Sequence, residues 1–115
     1  MVFMKIYKVC SMEHWQKAQA EGVFTGVAVD LADGYIHFSA ADQLAETLSK
    51  HFKGQTDLVL LTVDAGQIEE KLKWEPSRGG ALFPHLYADL PLRAVIEEHA
   101  LLTDEQGEFV LPEGL

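Results

Sequence analysis

Apolar positions along the chain change between a strand rhythm and a helix rhythm, and the changes mark the predicted elements. Ile6-Tyr7-Lys8-Val9 alternates like a half-buried strand, and Ser11 follows where a helix N-cap would stand. A helix is predicted from Met12 to Glu21: Met12, Trp15 and Ala18 recur on one face, and Gly22 offers a left-handed C-terminal cap. Thr25-Gly26 opens a predicted loop that runs through Asp30 to a turn at Asp33-Gly34. Tyr35-Ile36-His37-Phe38 then reads as a short strand, rich in aromatic and β-branched residues. Ser39 is placed to cap a second helix running from Ala40 to Phe52, with Asp42 in its first turn and Leu44, Ala45, Leu48 and Phe52 as its apolar positions.

Leu58-Val59-Leu60-Leu61-Thr62-Val63 is apolar toward both faces, the pattern of a central strand covered on both sides. The expectation is one core shared by Leu44, Leu48, Phe52, Val59, Leu61 and Val63, with the second helix packed on this strand. Ile68 to Leu72 suggests a helical turn, and Pro76 keeps Lys73-Trp74-Glu75 from continuing as a central strand. Ser77-Arg78-Gly79-Gly80 reads as a loop. Further strands are expected at Leu82-Phe83, near Ala94 to Ala100 and at Glu108 to Leu111, the last two joined by a turn at Thr103 to Gly107. Strands outnumber helices without strict alternation, so the predicted class is α+β, with two main helices early in the chain. Nothing resembles a linker or repeat, and residues 1–115 are expected to form a single domain.

Eighteen acidic against nine basic residues give a net charge of −9, which favours solubility and disfavours nucleic acid as a partner. Met1 to Lys5 has no leader pattern and no long apolar run follows, so the expected location is cytoplasmic, away from membranes. Cys10 has no second cysteine for a disulfide or a CxxC pair and is expected as a small buried hydrophobe. Arg78 and Arg93 are the only arginines, so any anion site is local.

P-loop, dinucleotide-fingerprint, zinc-helix and nucleophile-elbow motifs are absent from the sequence. Three stretches carry the candidate chemistry. On the strand at Tyr35, His37 and Ser39 lie two apart and share a face, so both can line one pocket; a satisfied semi-buried histidine and a helix cap are the competing reading. In Lys73-Trp74-Glu75-Pro76-Ser77-Arg78-Gly79-Gly80, Arg78 offers a planar fork of donors to a carboxylate or phosphate, and Glu75 can orient it or act as a base. A surface ion pair is the competing explanation for Arg78. In Phe83-Pro84-His85-Leu86-Tyr87, His85 suits proton transfer near neutral pH or a structural hydrogen bond. His14, His51 and His99 lack metal-ligand spacing and receive no role, and no metal site is expected. Trp15 and Trp74 are read as core or pocket-wall aromatics.

Taken in order, Ile6-Tyr7-Lys8, Trp15, Asp33 through Ser39, Trp74 through Gly80 and Phe83 through Tyr87 resemble the signature of the bacterial domain-of-unknown-function 952 family. The likeness runs from about Lys5 to Val95, with Lys8 standing where members often carry a histidine. The resemblance implies a compact α+β fold similar to the ADP-ribosyltransferase fold, a split β-sheet made of a pair of small sheets with helices alongside. Tyr35-Ile36-His37-Phe38-Ser39 is further similar to the histidine-containing strand of RNA 2′-phosphotransferases, which share that fold and use NAD.

The leading functional expectation is a pocket for an anionic small molecule or nucleotide-like ligand. Arg78 would bind the anionic group, and His37 and His85 would serve as acid, base or hydrogen-bonding residues. Were NAD the cofactor, as the resemblance implies, Tyr35 and Ser39 would meet its nicotinamide side and Tyr87 would form a wall, with Trp74 and Glu75 beside them. The alternative is a non-catalytic binding or regulatory module for a peptide or metabolite, and a third is a structural interaction protein with an exposed apolar patch. The oligomeric state is left open.

Overall fold

In the computed structural model of the chain, residues 4–115 are described, Arg78 by its backbone alone. Met1, Val2 and Phe3, on which the leader reading rests in part, lie outside the described residues. Strand β1 (Lys5–Ser11) leads directly into helix α1 (Met12–Glu21). The Ser11 side chain accepts the His14 N–H, and Gly22 closes the helix at φ 84°. Both predicted caps are therefore in place. Short strand β2 (Val23–Phe24) follows.

The predicted loop through Asp30 is instead a helix, α2 (Ala28–Asp33). Its cap comes from inside the helix: the Asp30 carboxylate accepts the Val27 N–H at 2.8 Å, and no side chain at position 27 is needed for this. Asp33-Gly34 is the helix end rather than a hairpin turn, with Gly34 at φ 86° donating to the Asp30 carbonyl. Thus three α-helices occur among the described residues where two main ones were expected.

After β3 (Ile36–His37) the chain makes a 3₁₀ turn at Ala41–Gln43 and then forms α3 (Leu44–His51). Ser39 does not cap this segment. Its backbone exchanges two 2.8 Å hydrogen bonds with Tyr7, while the Gln43 side chain accepts the Ala40 N–H. Strand β4 (Leu58–Asp64) is central in the sheet order β1-β4-β8, where β8 is Val95–Ala100 and both pairings are antiparallel. Strand β5 (Leu72–Pro76) and β6 (Leu82–Leu86) join β3 in a second antiparallel sheet, ordered β3-β6-β5. As Pro76 requires, β5 is an edge strand; β6 extends past the expected Leu82-Phe83 and holds Pro84 within the middle strand. Arg78–Gly80 is a tight 3₁₀ turn between them. Strand β7 (Leu90–Pro91) pairs with β2, and β9 (Leu102–Thr103) forms a hairpin with β10 (Phe109–Val110). The C-terminal turn thus joins β9 to β10, whereas β8 pairs with β4.

The expected single core is divided. Successive side chains of β4 point to opposite faces, so Val59, Leu61 and Val63 join Trp15, Ile36 and Phe38, while Leu58 and Leu60 join Leu44 and Leu48 of α3, with Phe52 packed alongside. Cys10 is buried in the first cluster, and burial pushes its thiol up to about 11, so it behaves as a small hydrophobe. The result is a compact mixed α and β fold of several small sheets and few helices, with a radius of gyration of 13.5 Å. No helix among the described residues is long and apolar enough to cross a membrane.

Candidate functional site

The mutual Tyr7–Ser39 bonds fasten the two three-stranded sheets together and bring Lys8 of β1 beside His37 of β3. Lys8 lies between Ile6 and Cys10 on the strand face that enters the first core cluster, and only 5% of it is exposed. Its Nζ donates to Asp30 at 2.9 and 3.1 Å. That carboxylate is the hub of the site. Besides Lys8 and the Val27 N–H, it accepts from the His37 backbone N–H at 3.1 Å and from His37 Nδ1 at 2.6 Å. Burial would raise the Asp30 pKa, but the His37 and Lys8 contacts and the Val27 bond together outweigh it and hold the carboxyl at about 2. For Lys8, burial dominates over the pull of Asp30 and lowers the amine from its ordinary value. Gly26 is part of this packing, because a Cβ there would come within 2.8 Å of the Asp30 Cβ.

His37 Nε2 meets a second carboxylate, Asp33, at 2.9 Å on the half-exposed side. Carboxylates accept, so both ring nitrogens of His37 act as donors when both contacts form. Directly across the β3–β6 ladder His37 faces His85, with ring centroids 5.3 Å apart. His85 is buried, and its Nδ1 contacts Glu75 Oε1 at 2.9 Å. The same oxygen accepts the Tyr87 hydroxyl at 2.7 Å, which lowers the Glu75 pKa and, with burial and the charge of Glu75 adding to it, pushes the Tyr87 phenol up to about 12. Nε2 of His85 has no protein hydrogen-bond partner among the described residues. Tyr35 stacks on His85 at 4.2 Å and presents its edge relation to His37 at 4.6 Å, so one aromatic ring sets the tilt of both imidazoles.

Lys8, Asp33, His37 and His85 border a cavity of about 520 Å³. Its apolar walls are Val27, Val29, Phe38, Phe52 and Phe83; Lys8, His37, Ser39, Thr47, Ser77 and His85 are polar lining residues. The Ser39 hydroxyl shares a 3.1 Å hydrogen bond with Thr47. Of the sequence candidates, His37, Ser39 and His85 thus meet on one cavity. Tyr35 and Glu75 stand behind the histidines and orient them. Tyr87 is exposed and acts on the site through Glu75, and Trp74 is exposed on the edge strand, so neither forms the expected pocket wall. The Arg78 side chain lies outside the described residues, although its backbone follows cavity-lining Ser77. His51, given no role from sequence, lines the cavity. Lys8, Asp30 and Asp33 are the residues that sequence reading missed; the one local signal was a lysine in the middle of an apolar strand. No group of three or more His, Cys, Asp or Glu side chains among the described residues is arranged to hold a metal.

A family model described as Protein of unknown function (DUF952) matches residues 9–98. The chain belongs to the DUF952 family. Among solved structures, this DUF952 chain is similar to protein CC0527 from Caulobacter crescentus, whose X-ray structure is 52% identical with a TM-score of 0.88, covering 92% of this chain and 93% of that one. The solution NMR structure of CC0527 is 53% identical with a TM-score of 0.81, covering 90% of each chain. No curated protein gives a significant match to the chain.

Proposed function

We propose that the cavity takes a small nucleotide-like ligand with a planar ring, and that His85 and His37 act on it as acid–base or hydrogen-bonding groups. The cross-strand meeting of the two imidazoles, each turned by its own carboxylate, carries this reading. A neutral His85 that donates through Nδ1 to Glu75 keeps an acceptor lone pair at Nε2, the arrangement of a general base. His37, held by Asp30 and Asp33, is the donor of the pair. Phe38, Phe52 and Phe83 suit a planar ring, and the Ser39 and Thr47 hydroxyls suit its polar edge.

The sequence likeness to the ADP-ribosyltransferase fold makes NAD the first ligand to try. The described lining fits the nicotinamide end: aromatic walls, two hydroxyls and an imidazole acceptor. Lys8 is already matched by Asp30, so the diphosphate would fall to Arg78. Bound NAD would supply an ADP-ribosyl group for transfer. This chain's own part would be to seat the ring, exclude water with the three phenylalanines, and offer His85 Nε2 to a proton of the acceptor.

A thermal-shift screen across NAD, nucleotides and small acids tests the reading. A ligand at one hundred times its Kd stabilises the fold by about 2.7 kcal/mol. The expected hit loses its shift in His85→Gln, and weakens in Arg78→Lys if it is anionic. No shift with any of these compounds would overturn the reading, and a ligand recovered chemically unchanged would favour the non-catalytic binding module.

A further inference from the structure

We propose that Lys8 is a carbonyl-capturing amine, so that the cavity also accepts small aldehydes or ketones and holds them as a Schiff base. The inference uses the cavity but not the identity of the ligand proposed above. Lysine is rarely buried on a strand without a partner or a task. Here it lines a cavity of about 520 Å³ and faces one carboxylate, Asp30, which is shared with His37. A desolvated amine beside a proton-handling group is the setting in which lysine becomes a nucleophile. The burial that lowers its pKa acts in the same direction. By contrast Lys17, Lys50, Lys53, Lys71 and Lys73 are exposed.

The step balances without an oxidant or reductant. The Lys8 ammonium first loses one proton to solvent. The amine lone pair then forms a C–N bond to the carbonyl carbon, and the oxygen becomes a hydroxyl by taking the proton that the nitrogen sheds. The C–O bond breaks as the hydroxyl takes one proton from solvent and leaves as water. The product is a protonated imine, so its positive charge remains paired with the Asp30 carboxylate.

The probe is pyridine-3-carboxaldehyde, a neutral planar aldehyde, trapped with sodium cyanoborohydride on the folded chain near pH 7 and mapped by peptide mass spectrometry. Lys8 is expected to form the reduced adduct at least about tenfold faster than any exposed lysine. Unfolding in urea should erase that preference. Folded Lys8→Arg, which keeps the charge beside Asp30, should lose the fast adduct; because the larger side chain can disturb packing, the native-against-unfolded rate comparison on the unaltered chain stands as an independent readout. Labelling of the exposed lysines first, or of Lys8 only after unfolding, would overturn the proposal. An absent thermal shift with nucleotides would leave this result untouched, so the two readings fail separately.

Discussion

His37 and His85 occupy facing positions on adjacent strands and pack against the same tyrosine, yet their surroundings commit them differently. Both nitrogens of His37 meet carboxylates, and one of those, Asp30, is buried and shared with Lys8. His85 is the more buried imidazole, but its carboxylate, Glu75, is partly open to solvent, and its Nε2 has no protein hydrogen-bond partner among the described residues. Residue type and position on the strand are matched. The difference lies in how many acceptors the neighbouring segments deliver to each ring.

The sharpest way to break this contrast is to remove the two carboxylates in turn. Asp30→Asn leaves Lys8 and His37 without their buried counter-charge and should cost about 3–5 kcal/mol, read from the urea midpoint at unchanged m-value. Glu75→Gln, at the solvent edge, should shift the midpoint far less. Equal losses would show that Asp30 is not the hub. Acid unfolding sharpens the comparison at a smaller scale. Asp30 is depressed from 3.8 to about 2 in the folded chain, so the unfolded state binds the proton more readily between those values. Its stabilisation is present above about pH 4 and is lost as pH falls toward 2, by about 2 kcal/mol in all. Asp30→Asn should remove that part of the acid slope, whereas Glu75→Gln should leave it in place.

Features set by neighbours in sequence were legible before the structure. Ser11, the apolar spacing of Met12, Trp15 and Ala18, and Gly22 bound α1 at the predicted residues, because a cap and a periodicity are local properties. The apolar run at Leu58 to Val63 likewise marks the central strand. Helix α2 was hidden because its cap, Asp30, sits inside the helix rather than ahead of it. The division of the core was hidden because an all-apolar strand gives no sign of which face meets which helix. In the site, His37, Ser39 and His85 stood out by residue type. Lys8 and Asp30 did not, since their pairing spans 22 positions and depends on the Tyr7–Ser39 bridge between sheets. Trp74 and Tyr87 lie exposed and off the cavity lining, a placement that aromatic character alone does not reveal.

The most direct test of two unlike imidazoles on one cavity is a long-range proton–nitrogen correlation spectrum of the histidine rings, assigned with His37→Gln and His85→Gln. The expected result is a His85 with its proton on Nδ1, donated to Glu75, beside a His37 whose two nitrogens donate to Asp30 and Asp33. A His85 protonated at Nε2 instead, or two histidines with the same ring pattern, would contradict it.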